Sequence, residues 1–292
     1  MSDHLKGLLM TLVAIFAMSP DSLIIRMVDA DQSTIVFWRS FLVFEGLLVL
    51  TTFKYGRNSP TAFRAIGKPG LLLAVMWATS SLLFVSALMH TSVGNTLVIL
   101  STAPIFAALI TWVLTRERTG RHTVLTIVVV IGAVILIVLE SYQSGRLAGD
   151  LFALGAAISV ALGLVVVRRQ RHTDMTPALS LSGLLLAAVV LPFASPFDID
   201  HRTAALFLLL ALLMTIAVGL FYAAPRYIPA AEVSLMLPLE TVIGTFIVWL
   251  LLGERPADTT IVGGAVVILA LVVHAGISLR VDRKATAKSP TV

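Results

Sequence analysis

The chain has 292 residues, of which 58% are hydrophobic and 13% charged, and its mean hydropathy is +0.98. A soluble domain carries about 25% charged residues, so this composition excludes a cytosolic enzyme, a secreted disulfide scaffold and a disordered polymer. The net charge of +5 and pI of 9.9 would suggest nucleic acid in a soluble protein, but here the basic residues mark loops beside a bilayer. Cysteine is absent, which removes disulfides, thiolate metal sites and a cysteine nucleophile.

A membrane span needs about 20 mostly apolar residues. Ten segments qualify, near 5–27, 34–53, 70–89, 92–115, 122–139, 150–167, 176–194, 203–224, 229–252 and 260–279. The first follows Met-Ser-Asp-His-Leu-Lys with no small-residue cleavage site, so it reads as a span rather than a signal peptide. The 3–4 and 8–9 junctions are tight and predict helical hairpins. With the N-terminus inside, sixteen of the 21 Lys and Arg residues fall in cytoplasmic segments. Only Arg26, Arg146, Arg202 and Arg255 fall outside, and Arg39 lies within span 2. This asymmetry predicts both termini in the cytoplasm and an inner-membrane location. Residues 280–292, basic and without apolar periodicity, read as a disordered cytoplasmic tail.

Sliding the sequence on itself exposes a repeat. At an offset of 137, residues 92–118 align with 229–255, with Trp112 on Trp249 and Glu117-Arg118 on Glu254-Arg255. An offset of 142 aligns Gly7 with Gly149, Ala14 with Ala156 and Arg26 with Arg168. The chain thus divides into a first half, 1–139, and a second, 140–279, each of five spans. An odd number of spans places the halves in the membrane in opposite senses, the architecture of many secondary transporters. The expected fold is all-α, with ten transmembrane helices built as two inverted five-helix repeats.

Ala87-Leu88, Pro104 and Glu117-Arg118 in the first half, Arg39 early in span 2, and Gly253-Glu254-Arg255 in the second half resemble the drug/metabolite transporter superfamily, specifically its EamA-type exporters. The likeness covers nearly the whole chain. It departs at Thr241, where the second repeat usually has proline, and in the irregular glycine pattern of span 5. The resemblance implies a secondary transporter, not an enzyme, exporting small metabolites, commonly amino acids, by alternating access. An aromatic amino-acid exporter branch exists near which this chain falls.

No P-loop, His-Glu-x-x-His or Gly-x-Ser-x-Gly pattern is present, so neither nucleotide coupling nor a metal or other cofactor is expected. The chemistry resides in polar groups at membrane depth, which are costly there and are functional candidates by default. Glu240 in span 9 and Glu45 in span 2 lie near the midplane and are the proton-coupling candidates; the alternative is a neutral acid bridging two helices. Span 9 sets Glu232, Met236, Glu240 and Gly244 on one face, and Asn95 in span 4 is the repeat partner of Glu232. Span 8 carries Thr215, Gly219, Tyr222 and Arg226 as a small and polar stripe that either lines a cavity or packs. Span 3 groups Trp77, Ser80, Ser81 and Phe84 into an aromatic, hydroxyl-dotted wall that suits an amphipathic solute; a lipid-facing Trp77 is the bland reading. Pro20, Pro104 and Pro238 interrupt spans 1, 4 and 9 and are candidate hinges. Arg39 lies close enough to the outer end of its span to snorkel. Gly155, Ser159 and Gly163 form a stripe for close packing in span 6.

The expected partners are a small-molecule substrate and the lipid bilayer, with no nucleic acid and with the oligomeric state open. The competing readings are a drug or other-metabolite exporter of the same fold and, from a different class, a membrane-embedded lipid-modifying enzyme.

Overall fold

The structure, a computed structural model, describes residues 3–115, 121–170, 173–224, 227–228 and 230–288. Within its helices the side chains of 114–115, 121–123, Arg168, Tyr222, 230–235, Leu237, Ala275 and 278–288 lie outside the description. The described residues form helices joined by turns, without a strand.

Span 1 is two helices, α1 (Asp3–Met18) and α2 (Asp21–Met27), separated at Ser19-Pro20. Proline has no N–H to give to the turn before it. Span 2 is α3 (Gln32–Tyr55), which Asp31 caps by accepting from the Thr34 backbone at 3.0 Å. The short α4 (Ser59–Ala65) leads into span 3, α5 (Gly67–His90). Span 4 is again split, into α6 (Val93–Leu100) and α7 (Ala103–Thr115). There Ser101 and Thr102 turn their hydroxyls back onto the Val98 and Ile99 carbonyls, and Pro104 opens the second piece. Spans 5 to 10 are α8 (Arg121–Gln143), α9 (Leu147–Arg169), α10 (Thr176–Val190), α11 (His201–Ala223), α12 (Ala230–Leu252) and α13 (Asp258–Lys288).

Eight of these units are long and apolar enough to cross a bilayer, and the apolar stretches Pro238–Leu252 and Asp258–His274 complete the ten. Leu212, Leu250, Val262 and Leu269 stand exposed around the bundle while Ala14, Ala74, Ala156 and Ala217 are buried inside it. Large apolar side chains outward and small ones at helix contacts is the pattern of a protein solvated by lipid.

Two expectations change. Pro238 does not interrupt span 9: α12 is continuous through it, since a membrane helix tolerates one missing hydrogen bond when the freed carbonyl finds another partner. The last helix also runs beyond 279 to Lys288, so residues 280–288 are helical rather than part of an unstructured tail. Residues 289–292 lie outside the description.

The packing exchanges the two halves. Helix α5 packs on α9 as α11 packs on α1; α7 meets α9 as α12 meets α1; α5 meets α10 as α11 meets α3. The glycines make the correspondence residue-specific. A Cβ on Gly149 would lie 2.5 Å from Thr91 Cβ and 2.6 Å from the His90 carbonyl carbon, and one on Gly7 would lie 2.7 Å from Ile228 and 2.9 Å from Tyr227. His90 and Thr91 are 137 residues before Tyr227 and Ile228. Both repeat offsets therefore meet in one contact, made once at each end of the molecule.

Candidate functional site

Polar side chains gather inside the bundle in two places. The first is at the break in span 1. Asp21 opens α2, and Arg39 sits two turns into α3. Arg39 donates to both Asp21 carboxylate oxygens, Nε to Oδ1 at 3.2 Å and Nη2 to Oδ2 at 2.7 Å. Its Nη1 donates to Ser81 of α5, and the guanidinium lies 5.6 Å from the centre of the Phe84 ring. The Arg39 and Asp21 side chains are only 15% and 9% exposed. At 1.5 Å per residue Arg39 lies about 10 Å from the start of α3, and Asp21 about 9 Å from the far end of α2. Arg39 is turned inward and does not snorkel, because an ion-pair partner at its own depth holds it more strongly than a long reach to the interface. Ser80, one residue before Ser81, is buried. Trp77 lies a further turn along α5, near Gly163 of α9.

The second gathering is at the α5–α6 turn. Ser92 caps α6 by accepting from the Asn95 backbone at 3.1 Å. The Asn95 side chain, 1% exposed, donates to Ser141 of α8 at 2.9 Å and approaches both oxygens of Asp150 in α9 at 3.2 and 3.3 Å. Thr91 donates to Asp150 Oδ1 at 2.7 Å, and Thr260 of α13 donates to Asn95 Oδ1. Above this hub, Arg26 at the end of α2 donates to the Thr91 carbonyl at 2.8 Å and pairs with Glu254 at 3.3 Å. Glu254, from the Gly-Glu-Arg run, also accepts at 2.7 Å from the Val93 backbone, the first N–H of α6.

The remaining candidates are dispersed. Thr215 packs against Gly46 of α3 and Gly219 against Leu50, so this part of the span 8 stripe is a close helix contact. Glu45 is exposed on the α3 stripe that also carries Val49 and Phe53. On α12, Gly244 faces Leu97 and the Ser19 carbonyl, and Thr241 donates to the Leu97 carbonyl at 3.4 Å. Glu240 and Met236, one and two turns before Gly244 on its face, are half-buried and lie on the side of α12 that meets the span 1 break. Pro20 is at that break and Pro104 at the break in span 4. The side chains of Tyr222 and Glu232, and residues Glu117, Arg118 and Arg226, lie outside the described residues. The span 6 stripe packs within the chain, Gly155 on Leu83 and Gly163 on Leu73. No group of His, Asp and Glu side chains suited to a metal ion occurs among the described residues.

Sequence reasoning passed over Asp150 and the pairing of Asp21 with Arg39. For the pair a signal existed: opposite charges at equal depth on spans joined by a short turn. Asp150 coincides with the estimated start of span 6, so its position gave no reason to single it out.

A helical bundle of ten apolar spans, related half to half and carrying buried ion pairs at helix breaks, is a multi-pass membrane protein of the transporter kind. The EamA-like transporter family model matches residues 5–139 and again 147–275, and the chain belongs to that family. Human solute carrier family 35 member G1 is 29% identical over 180 residues, covering 56% of this chain and 48% of that protein. The chain thus spans about half the length of this curated relative. A solved crystal structure superimposes with a TM-score of 0.67 over 94% of this chain and 98% of its own, at 14% identity; a likeness at that identity establishes the fold.

Proposed function

We propose that this protein is a secondary active transporter that exports amino acids or related small zwitterionic metabolites across the inner membrane by alternating access, with both termini in the cytoplasm. The observation that carries the substrate class is the Arg39–Asp21 pair. Its two charges sum to zero, lie inside the bundle at a broken helix, and adjoin a hydroxyl and an aromatic face. A zwitterion offers the same two charges in reverse: its carboxylate meets the Arg39 fork and its ammonium meets Asp21, with Phe84 beneath an apolar side chain. Exchanging partners in this way buries no net charge. Glu240, on the α12 face turned toward the same break, is the residue to which we assign coupling to a proton.

The test is counterflow of radiolabelled amino acids in proteoliposomes. Wild-type protein is expected to exchange at least one amino acid, with Arg39→Lys raising KM by tenfold or more because an ammonium cannot make the forked contact. Absence of counterflow with every amino acid overturns the substrate class. Glu240→Gln is expected to abolish proton-driven accumulation while leaving counterflow; unchanged pH-driven uptake in that variant removes Glu240 from the coupling role.

A further inference from the structure

Helix α10 is short for a helix that crosses a bilayer. Its 15 residues, Thr176–Val190, rise about 22 Å at 1.5 Å each, against a hydrocarbon core of about 30 Å. The helices packed on it, α3 and α5, have 24 residues each. The apolar sequence does not stop where α10 does. Residues 176–197 carry no charged side chain, and Asp198 is the first acid after them.

Beyond Val190 the chain makes one 3-10 turn, Leu191–Phe193, and then runs irregularly to Asp200, the N-cap of α11. Non-helical backbone is tolerated at membrane depth only where its polar groups find partners inside the protein. Pro192 and Pro196 have no N–H to satisfy. Leu191 donates to the Ala187 carbonyl, Ala194 to the Leu191 carbonyl at 3.3 Å, and Asp198 to the Ser195 carbonyl at 3.1 Å. The Ser195 N–H reaches across to α3 and donates to Thr34 Oγ1 at 2.8 Å. One turn further along α3, the Trp38 indole donates to the Pro196 carbonyl at 3.0 Å, and its ring stacks on Phe207 of α11 at 6.4 Å. Thr34 and Trp38 are the third and seventh residues of α3. The loop therefore lies along the first two turns of that helix and does not stand above it.

Its side chains sort to two sides. Ile199 packs inward, against the core cluster that holds Phe207 and Leu210. Phe193 and Phe197 point away from the protein, 75% and 96% exposed, and Phe197 is the most exposed large apolar side chain among the described residues. They follow on from Val189, exposed in the last turn of α10, and from Leu191. The outward apolar face of the helix thus continues onto a loop pinned by two hydrogen bonds to its neighbour.

We propose that residues 191–197 are a membrane-embedded wedge, with Phe193 and Phe197 seated among lipid acyl chains, so that a loop and not a helix completes the seventh crossing. The missing length of α10, the bonded backbone and the continuity with its lipid-facing side all fit this one occupant. Asp198, Asp200 and Arg202 mark where the chain returns to water. Through Thr34 and Trp38 the wedge anchors the beginning of α3, the helix that carries Arg39.

The chain lacks cysteine, so a nitroxide can be attached at one site at a time: Phe193→Cys and Phe197→Cys, with Leu212→Cys as a lipid-facing reference and Arg202→Cys as an aqueous one. Phe197 touches so little protein that its replacement leaves the packing intact. In lipid nanodiscs, each label's collision rate with oxygen, which concentrates in lipid, is compared with that of a neutral nickel chelate, which stays in water. The oxygen-to-nickel ratio at 193 and 197 is expected to approach that at 212 and to exceed that at 202 by about threefold or more, as for apolar surface removed from water. A ratio at either site equal to that at 202 would place the ridge in water and overturn the proposal. Low collision with both agents would mean that protein covers the ridge, a second copy included, and would overturn it as well. No substrate is added and nanodiscs leave both membrane faces open, so the result stands apart from the transport reading and from the orientation of the chain.

Discussion

Arg39 and Asp21 hold each other at a depth where neither would be stable alone. Removing one leaves the other as an uncompensated charge, which costs about 3 kcal/mol or more at a buried site. Arg39→Ala is therefore expected to lower stability by about that amount in detergent unfolding, and adding Asp21→Asn to recover most of the loss. Equal stability of the single and double variants would show that the two charges are not coupled. A second pair joins Lys54, in the last turn of α3, to Asp174, which sits outside the spans in the loop between α9 and α10. Desolvation works to raise the Asp174 carboxyl, but hydrogen bonds from Lys54, Tyr55 and Thr176 outweigh it and hold the group well below the usual carboxylate range. A depressed folded-state value stabilises the protein above the unfolded value near 3.8, and the contribution is lost as pH falls toward the folded one. The stability difference between wild type and Asp174→Asn is expected to be positive at pH 7 and to shrink steadily below pH about 4. A difference that does not change with pH would exclude this carboxylate as its source.

Between elements, the glycines divide by what stands over them. Gly149 lies under the Thr91 backbone, and a methyl group there would force α9 away from the α5–α6 turn. Gly132, also helical, has nothing within 4 Å of the same position. Gly149→Ala is expected to cost about 1–3 kcal/mol through overpacking, whereas Gly132→Ala gains about 0.5–1 kcal/mol from lost backbone freedom in the unfolded chain. Unfolding titrations of the two variants check both signs. The element scale is also where the sequence was most and least legible. Spans, tight hairpins and the alignment of Gly7 with Gly149 follow from hydropathy and repetition, because these depend on residue type and spacing alone. The rotation of each helix about its axis does not. Thr215 reads as equally suited to a cavity or a contact until Gly46 is seen opposite it, and Asn95 reads only as the repeat partner of Glu232 until Asp150, 55 positions away, is found beside it. A proline likewise signals a break from its own chemistry, yet α12 passes through Pro238 while span 4 stops before Pro104; neighbouring helices decide which.

For the molecule as a whole, the excess of basic residues in alternate loops is the basis of the proposed orientation. Single cysteines placed at Lys6 and at Arg202 in the cysteine-free chain are expected to label from opposite sides of the membrane, Arg202 from outside. Labelling of both from one side would overturn the odd count of seven spans between them, and labelling of Arg202 from inside would overturn the orientation. The matched contacts of Gly7 with Tyr227 and Ile228, and of Gly149 with His90 and Thr91, carry a last consequence. Both are present at once, one at each end. Each ties a helix of one half to a turn of the other: α1 to the α11–α12 turn, α9 to the α5–α6 turn. On the alternating access proposed above, the pieces that swing against each other are then not the two sequence repeats. Each is a hybrid of both, and the seam of the machine runs across the seam of the gene.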